Sequence, residues 1–576
     1  MTFVNLHHHS TYSMLDGYGF PADAAEAGVD MGLPALAQTD HGNLFGAYAF
    51  YKACKVAGIK PVIGIEAYVA PDMQVRERVT WGEVWDSSKG KMVPVPGPSS
   101  HLTVLARDAS GLRGLYDLHA RSYLEGFYYD PRLDFEALRD HAEGLIVLSG
   151  CVGGELATRL RLGQDREAYE LAEKYNSTFE YYIEIMEHGC DFEAELNPKL
   201  KKLSKDLKIP LVATGDSHFI YEDEADTHDA ILCIGTSGAT LADEKRFRFS
   251  GSGYWMMDAK EMEEYTSLPK HAIHRSGEIA EAIGAYDEVF SPRDLKLPGD
   301  PRELAEKARA GLAKLDLTPL QRLDYEEQLE YELDVIIRMG YSGYCLALEE
   351  IVSFAREQGI FVGSGRGSGV GSLVLYSLGI TKVDPMKHGL VFERFLNIER
   401  KSSPDVDLDF ESARRDEVID FAVRRFGSEN VCRILTLGTI ATRRAILDSA
   451  KVLGRPAEEA LEIKRLIPPD RRGRTPTLDE VVGLEEADEE VFRLAQGLDG
   501  QLRQPGIHPG GVVVSPVPLK HVLPVKKAPS DPCLMSGFTM GEVEALGLVK
   551  LDLLSIKTLD IIKATLESID ETETPS

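Results

Sequence analysis

Three aspartates alternate with apolar residues in Pro404-Asp405-Val406-Asp407-Leu408-Asp409-Phe410. That is the period of a β-strand, so the pattern predicts three carboxylates on one face and Val406, Leu408 and Phe410 on the other. Carboxylates this close repel one another unless a cation lies between them. Mg²⁺ suits the set, because it takes hard oxygen ligands and shares them with substrate phosphates. A solvated strand edge, charged against aggregation, is the alternative reading of the acidic alternation alone. Some forty residues upstream, Val362 to Ser372 packs five glycines and three serines around Arg366. The run follows the β-like Ile360-Phe361-Val362 and precedes an apolar segment, Leu373 to Ile380, that reads as a helix. Backbone N–H groups of such a turn form an anion site, to which Arg366 could add a two-pronged clamp on phosphate oxygens. Its spacing is that of neither a Walker A loop nor a dinucleotide fingerprint. Together the loop and the carboxylate strand describe a triphosphate and metal site.

A second set of donors lies in the first half of the chain. Phe3-Val4-Asn5-Leu6-His7-His8-His9 starts as a strand, with His7 and His9 on one face and His8 on the other. Further candidates stand at or near the ends of apolar runs: Asp16, His41, Glu66, His101, Cys151, Asp216 and His218. Short strands separated by helical segments, each ending in a polar residue, suggest a β/α barrel with its site at the strand C-termini. Mixed His, carboxylate and Cys donors favour Zn²⁺, Mn²⁺ or Fe over an all-oxygen Mg²⁺ site.

The elements that must position these residues fit a chain of 576 residues with several cores. Pro301 to Leu315, Pro319 to Met339 and Tyr344 to Gln358 read as helices; in the second, Leu329, Leu333, Ile336 and Ile337 form an apolar face that Gly340 ends. A net charge of −29 argues against a general electrostatic grip on DNA. Residues 411–474 depart from that balance, with 14 Lys+Arg against 10 Asp+Glu, or +4. Arginine pairs at 414/415, 424/425, 443/444 and 471/472 supply the excess, either as a phosphate grip or as helices laced by local ion pairs. Seven scattered cysteines without a Cys-x-x-Cys suit a reducing compartment. No signal peptide is visible and no apolar run nears the ~18 residues of a membrane span. The expectation is a soluble, cytoplasmic protein.

Gly363 to Ser372, Phe392-Glu393-Arg394-Phe395-Leu396-Asn397 and Pro404-Asp405-Val406-Asp407, followed by Gly547 to Leu554, resemble the bacterial replicative C-family DNA polymerases. The histidine-rich half resembles the polymerase-and-histidinol-phosphatase (PHP) domain that opens them. The fold class this implies is multidomain α/β: a PHP-type β/α barrel, then a polymerase-beta-like nucleotidyltransferase palm with an inserted helical thumb. The expected boundaries are 1–283 for the PHP domain, 284–430 for the first part of the palm, 431–509 for the thumb, and 510–576 for the rest of the palm and a truncated start of fingers. Carried over residue by residue, Asp405, Asp407 and Asp552 would hold two Mg²⁺ ions, with Asp409 behind them. Gly365, Arg366 and Ser368 would cradle the triphosphate, and Arg394 and Lys550 would neutralise its charge. The family's nine PHP positions fall on His7, His9, Asp16, His41, Glu66, His101, Cys151, Asp216 and His218, which implies up to three Zn²⁺, Mn²⁺ or Fe ions and 3′→5′ exonuclease activity. Ser555 stands where relatives have glycine. The chain stops about twenty residues after Asp552, where relatives continue into fingers and clamp-binding regions. The implied activity is DNA-directed DNA synthesis on primer–template from dNTPs, with a separately encoded chain and other replisome subunits as partners. A stand-alone PHP exonuclease and an inactive scaffold are the alternatives.

Overall fold

Each short apolar run of this chain must be covered by helices to leave water, and the architecture follows from that need. A computed structural model describes residues 2–86, 91–97, 99–236, 238–399, 404–469, 476–529 and 533–569. The Arg471/Arg472 pair and the tail from Asp570 lie outside the described residues. Two compact units emerge: Met1–Phe290 with Leu437–Gly506, and Ser291–Thr436 with Ile507–Ser576.

The first unit is built on a seven-stranded sheet. Its strands are β1 (Ala35–Gln38), β2 (Lys60–Val69), β5 (Ser100–Ala106), β6 (Arg132–Leu133), β7 (Leu145–Leu148), β8 (Glu180–Ile185) and β9 (Leu211–Ala213), while β3 (Val79–Asp86) and β4 (Lys91–Gly97) form a separate hairpin. The order is β1-β2-β5-β7-β8-β9, with β6 against β2. The result is a curled half-barrel of the PHP type rather than a uniformly parallel barrel, because β5 runs antiparallel to both β2 and β7. Residues 3–9 do not form a regular strand. Their backbone bonds alternate between two neighbours instead: the Thr39 N–H donates to His8 O on one side, and the His9 N–H donates to Ser217 O on the other. This bridges the segments that follow β1 and β9. The strand-like alternation survives, since His8 turns to Ser217 while His7 and His9 turn inward.

Helices Thr442–Val452, Ala457–Arg465 and Glu489–Leu498 belong to this unit. They bury Ile446, Ala450, Ile463, Val491 and Leu494 against Ala230, Ile231 and Cys233 of the helix Ala225–Gly235.

The second unit carries a six-stranded sheet of β10 (Asp407–Phe410), β11 (Val431–Thr439), β12 (Leu502–Val514), β13 (Val525–Lys527), β14 (Leu534–Thr539) and β15 (Val549–Ser555), ordered β10-β15-β12-β11-β14-β13. The helices expected upstream form at Pro301–Ala313, Pro319–Arg338 and Ser342–Glu357. Proline occupies the first turn of the first two, where its missing N–H costs nothing. The longest is capped by Thr318 with Gln321, and its chain turns at Gly340 with φ +77°. Leu329, Leu333 and Ile336 are buried as the spacing predicts, with Ile337 partly buried beside them. They share one core with Val406, Leu408, Phe410, Leu551 and Leu553, so the apolar face of the carboxylate strand faces inward. All seven cysteines are free and buried. Among the described residues, no helix is long and apolar enough to cross a membrane.

Candidate functional site

All nine donors expected in the first unit converge on one cluster. Glu66, 1% exposed at the middle of β2, sits at its centre. Its Oε1 lies 3.4 Å from His7 Nε2, 2.9 Å from His101 Nδ1 and 3.4 Å from Cys151 Sγ. Its Oε2 contacts His41 Nδ1 and approaches His9 Nε2 at 3.8 Å. Asp216 Oδ1 lies 3.4 Å from His7 Nε2 and 3.3 Å from His9 Nε2, and Asp16 joins His41 at 2.9 Å and His218 at 4.0 Å. Asp216 has φ +41°, a strained backbone for an aspartate, of the kind that persists where surrounding structure over-determines it.

Protons alone do not satisfy this cluster. His7 Nε2, His9 Nε2, Asp16 Oδ1 and Asp216 Oδ1 are buried without a hydrogen-bond partner, a cost of ~1–3 kcal/mol each unless something binds them. Burial pulls the His7 pKa down, but the charges of Asp216 and Glu184 outweigh it and hold His7 well above the usual range. For His9 burial prevails, helped by His41 and His218, and its pKa falls well below. Ligand atoms of His9, His41 and His218, of His7, His9 and Glu66, and of His41, Glu66 and His101 lie within 4.8 Å of one another. Nitrogen, oxygen and sulfur donors at such distances fit divalent metal ions.

The sequence reading missed the groups that orient these donors. Glu184, buried on β8, accepts from His7 Nδ1 (2.8 Å), Thr214 Oγ1 (2.6 Å), Thr103 Oγ1 (2.9 Å) and the Gly150 N–H (3.0 Å). His9 Nδ1 meets Ser13 Oγ at 3.0 Å, and Ser13 donates to the buried Asp40 at 2.8 Å. Such carboxylate–histidine contacts fix which ring nitrogen faces a metal. A lone glutamate inside the apolar run Ile183-Glu184-Ile185 was the available signal. Asn5 braces the segments beside the cluster: its Oδ1 accepts from the Gly215 N–H at 2.9 Å and its Nδ2 donates to Ser217 Oγ at 2.6 Å.

In the second unit, β10 and β15 pair in parallel with Asp407 opposite Asp552. Two carboxylates remote in sequence thereby share one sheet edge. Asp405 lies just before the strand, 64% exposed, while the Asp552 side chain is 8% exposed and its Oδ1 has no hydrogen-bond partner. Lys550 Nζ bonds Asp552 at 2.8 Å and approaches Asp405 at 3.7 Å. Burial raises the pKa of Asp405 and of Asp407; neighbouring carboxylates add to it, against the pull of Lys550 and Arg366 respectively. An orphaned carboxylate oxygen beside crowded acids fits hard cations.

The glycine-rich loop lies against this edge. Gly365 (φ +97°) and Gly367 (φ +70°) adopt left-handed backbone, and a Cβ at Gly367 would stand 3.3 Å from Asp407 Oδ2. Ser368 Oγ reaches the Asp405 carbonyl at 3.4 Å. Arg366, expected to point at phosphate, bonds Asp407 at 2.8 Å and Asp409 at 3.0 Å. Asp409 is therefore behind the other aspartates as an arginine partner. Arg394 is exposed on the turn Phe392–Arg394 and is not among the side chains joined here. Arg414, Arg415, Arg425 and Arg444 engage Glu417, Asp416, Glu350 and Asp448 respectively at 2.5–2.8 Å. The first three of these pairs each keep a solvent-exposed partner and are worth ~0–1 kcal/mol, whereas Asp448 is buried.

Residues 5–188 match the PHP domain, and residues 302–555 match the bacterial DNA polymerase III alpha NTPase domain. The DNA polymerase III subunit alpha of Mycobacterium tuberculosis (strain CDC 1551 / Oshkosh) is 39% identical over 99% of this chain and 50% of its own length. The subunit alpha of Mycobacterium leprae is 38% identical over 99% of this chain and 51% of its own, and that of Thermus aquaticus 35% identical over 100% and 52%. The chain spans about half the length of these curated relatives. With both domain models matched in order, the chain is similar along nearly its whole length to about half of the bacterial DNA polymerase III alpha subunits.

Proposed function

We propose that this chain is the catalytic portion of a replicative, cytoplasmic DNA polymerase that extends a primer on a DNA template from dNTPs, joined to a 3′→5′ exonuclease. The observation that carries the reading is the register of Asp407 against Asp552, with Asp405 and the glycine-rich loop at the same edge. Asp405, Asp407 and Asp552 would hold two Mg²⁺ ions. When bound, such ions lower the pKa of the primer 3′-hydroxyl and steady the leaving pyrophosphate. Gly365 and Ser368 present backbone and hydroxyl groups to the triphosphate. Lys550 balances carboxylate charge, and Arg366 must exchange Asp407 for phosphate as the nucleotide enters. The basic helical segment would grip duplex through phosphates, which position without reading sequence. Assembly with other replisome subunits belongs to the same proposal.

The nine-donor cluster supports a phosphodiesterase on 3′ ends, with Zn²⁺, Mn²⁺ or Fe as the ions, up to three. Clustered ions of this kind activate water and stabilise a leaving oxygen. Glu184 accepts from His7 Nδ1, so Nε2 is the atom that would meet a metal ion, which would take the place of any proton there.

A 5′-labelled primer–template, incubated with Mg²⁺ or Mn²⁺ with and without dNTPs, tests both halves. Asp405→Asn is expected to remove extension and keep trimming; His7→Ala with His9→Ala is expected to do the reverse. Extension by Asp405→Asn, or trimming by the double variant, overturns the corresponding half.

A further inference from the structure

Beside the histidine–carboxylate cluster lies a cavity of about 340 Å³, lined by Phe219, His228, Arg248, Phe249, Tyr254 and Trp255 among others. It shares a wall with the cluster: the Phe249 ring stands edge-on to His218 at 4.6 Å and to His228 at 5.0 Å. Phe249 also meets Tyr254 at 4.7 Å. Both rings are only half-buried, so they keep surface for a ligand. His228 is 4% exposed and its Nε2 has no hydrogen-bond partner, which leaves a buried polar atom at the cavity wall.

The charges around the cavity narrow the choice of occupant. The Arg246 side chain is 3% exposed and holds Asp229 through two bonds of 2.5 Å, which neutralises that carboxylate and pins the Arg246-Phe247-Arg248-Phe249 segment. Arg248 is exposed at the rim. Glu222 and Asp226 line the remaining side. Those carboxylates would repel a phosphate inside the cavity but can accept from amino groups. The space therefore suits a flat, uncharged, hydrogen-bonding ring, with an anion tethered outside it. Aromatic platforms with a nearby cation hold single-stranded nucleic acid in this way.

We propose that the cavity receives the base of the 3′-terminal nucleotide of a single strand, stacked on Phe249 with the edge of Tyr254 beside it, and with Arg248 on a backbone phosphate. The inference rests on the cluster acting on DNA 3′ ends, and it names the contact that delivers the terminal phosphodiester to the His218 side.

A single-stranded oligonucleotide with 2-aminopurine at its 3′ end is titrated with the full chain in EDTA, following fluorescence. Wild type is expected to quench a 3′-terminal probe and to leave a 5′-terminal probe bright. Phe249→Leu is expected to weaken binding about tenfold, the scale of one lost base–aromatic stack. Arg248→Gln, at an exposed position, is expected to weaken it without any change in folding. An unquenched 3′ probe with wild type, or unchanged titrations for both variants, overturns the proposal. Cleavage of the same oligonucleotide in Mn²⁺ separates the two readings. Quenching without cleavage keeps the base pocket and removes the exonuclease; cleavage without quenching does the opposite.

Discussion

Replacing Glu184 by glutamine changes one atom in size and almost nothing in shape, so its effect isolates the hydrogen-bond pattern behind His7. One carboxylate oxygen accepts from His7 Nδ1 and Thr214, the other from Thr103 and the Gly150 N–H. An amide must turn its NH₂ toward one of these pairs. Facing His7, it forces the imidazole proton onto Nε2, the atom aimed at the centre, and ligation there is blocked. Facing Gly150, it leaves a buried N–H against another donor, a cost of ~1–3 kcal/mol. The first outcome appears as weaker metal binding and the second as lower stability of the metal-free chain. Loss of such an orienting partner typically lowers metal affinity about 10- to 100-fold, which corresponds to roughly 1.4–2.7 kcal/mol. Competition for Zn²⁺ or Mn²⁺ against a chromogenic chelator, together with thermal unfolding in EDTA, measures both. If Glu184→Gln matches wild type in both assays, the claim that Glu184 sets the His7 tautomer is wrong.

Gly367→Ala places a Cβ 3.3 Å from Asp407 Oδ2 on a backbone at φ +70°, a strain of ~1–2 kcal/mol; primer extension should fall through a higher dNTP KM while 3′ trimming stays unchanged. Gly311→Ala drives a methyl group into the Ser377 carbonyl, between two packed helices. It should destabilise the second unit by at least ~1–3 kcal/mol, read as a lower urea midpoint. Burial lowers the Lys526 pKa from 10.5 to about 8, so between those values the unfolded chain holds a proton that the folded one sheds, and stability rises with pH. Lys526→Met should flatten that rise and add on the order of 1–3 kcal/mol at neutral pH, measured by urea unfolding across the interval.

Much of both candidate sites was legible because Asp405, Asp407, His7 and His9 are marked by short-range spacing, whereas Asp552 was reached only through the family resemblance. Alternation over a few residues survives into the structure even where the element differs: residues 7–9 are not in a regular strand, yet His8 and the pair His7/His9 still part to opposite sides. The apolar partners of Asp405, Asp407 and Asp409 likewise became core, since a period of two has only one way to bury Val406, Leu408 and Phe410. What lay beyond the sequence was everything set by pairing between distant segments. The antiparallel course of β5, the register of Asp407 against Asp552 and the four bonds to Glu184 join residues whose neighbours in the chain say nothing of one another. Arg366 shows the same limit: its place in a glycine-rich loop suggests a phosphate ligand, and only the tertiary structure reveals two carboxylates within its reach. Local periodicity decides which side chains leave water, whereas packing of remote strands decides which of them meet.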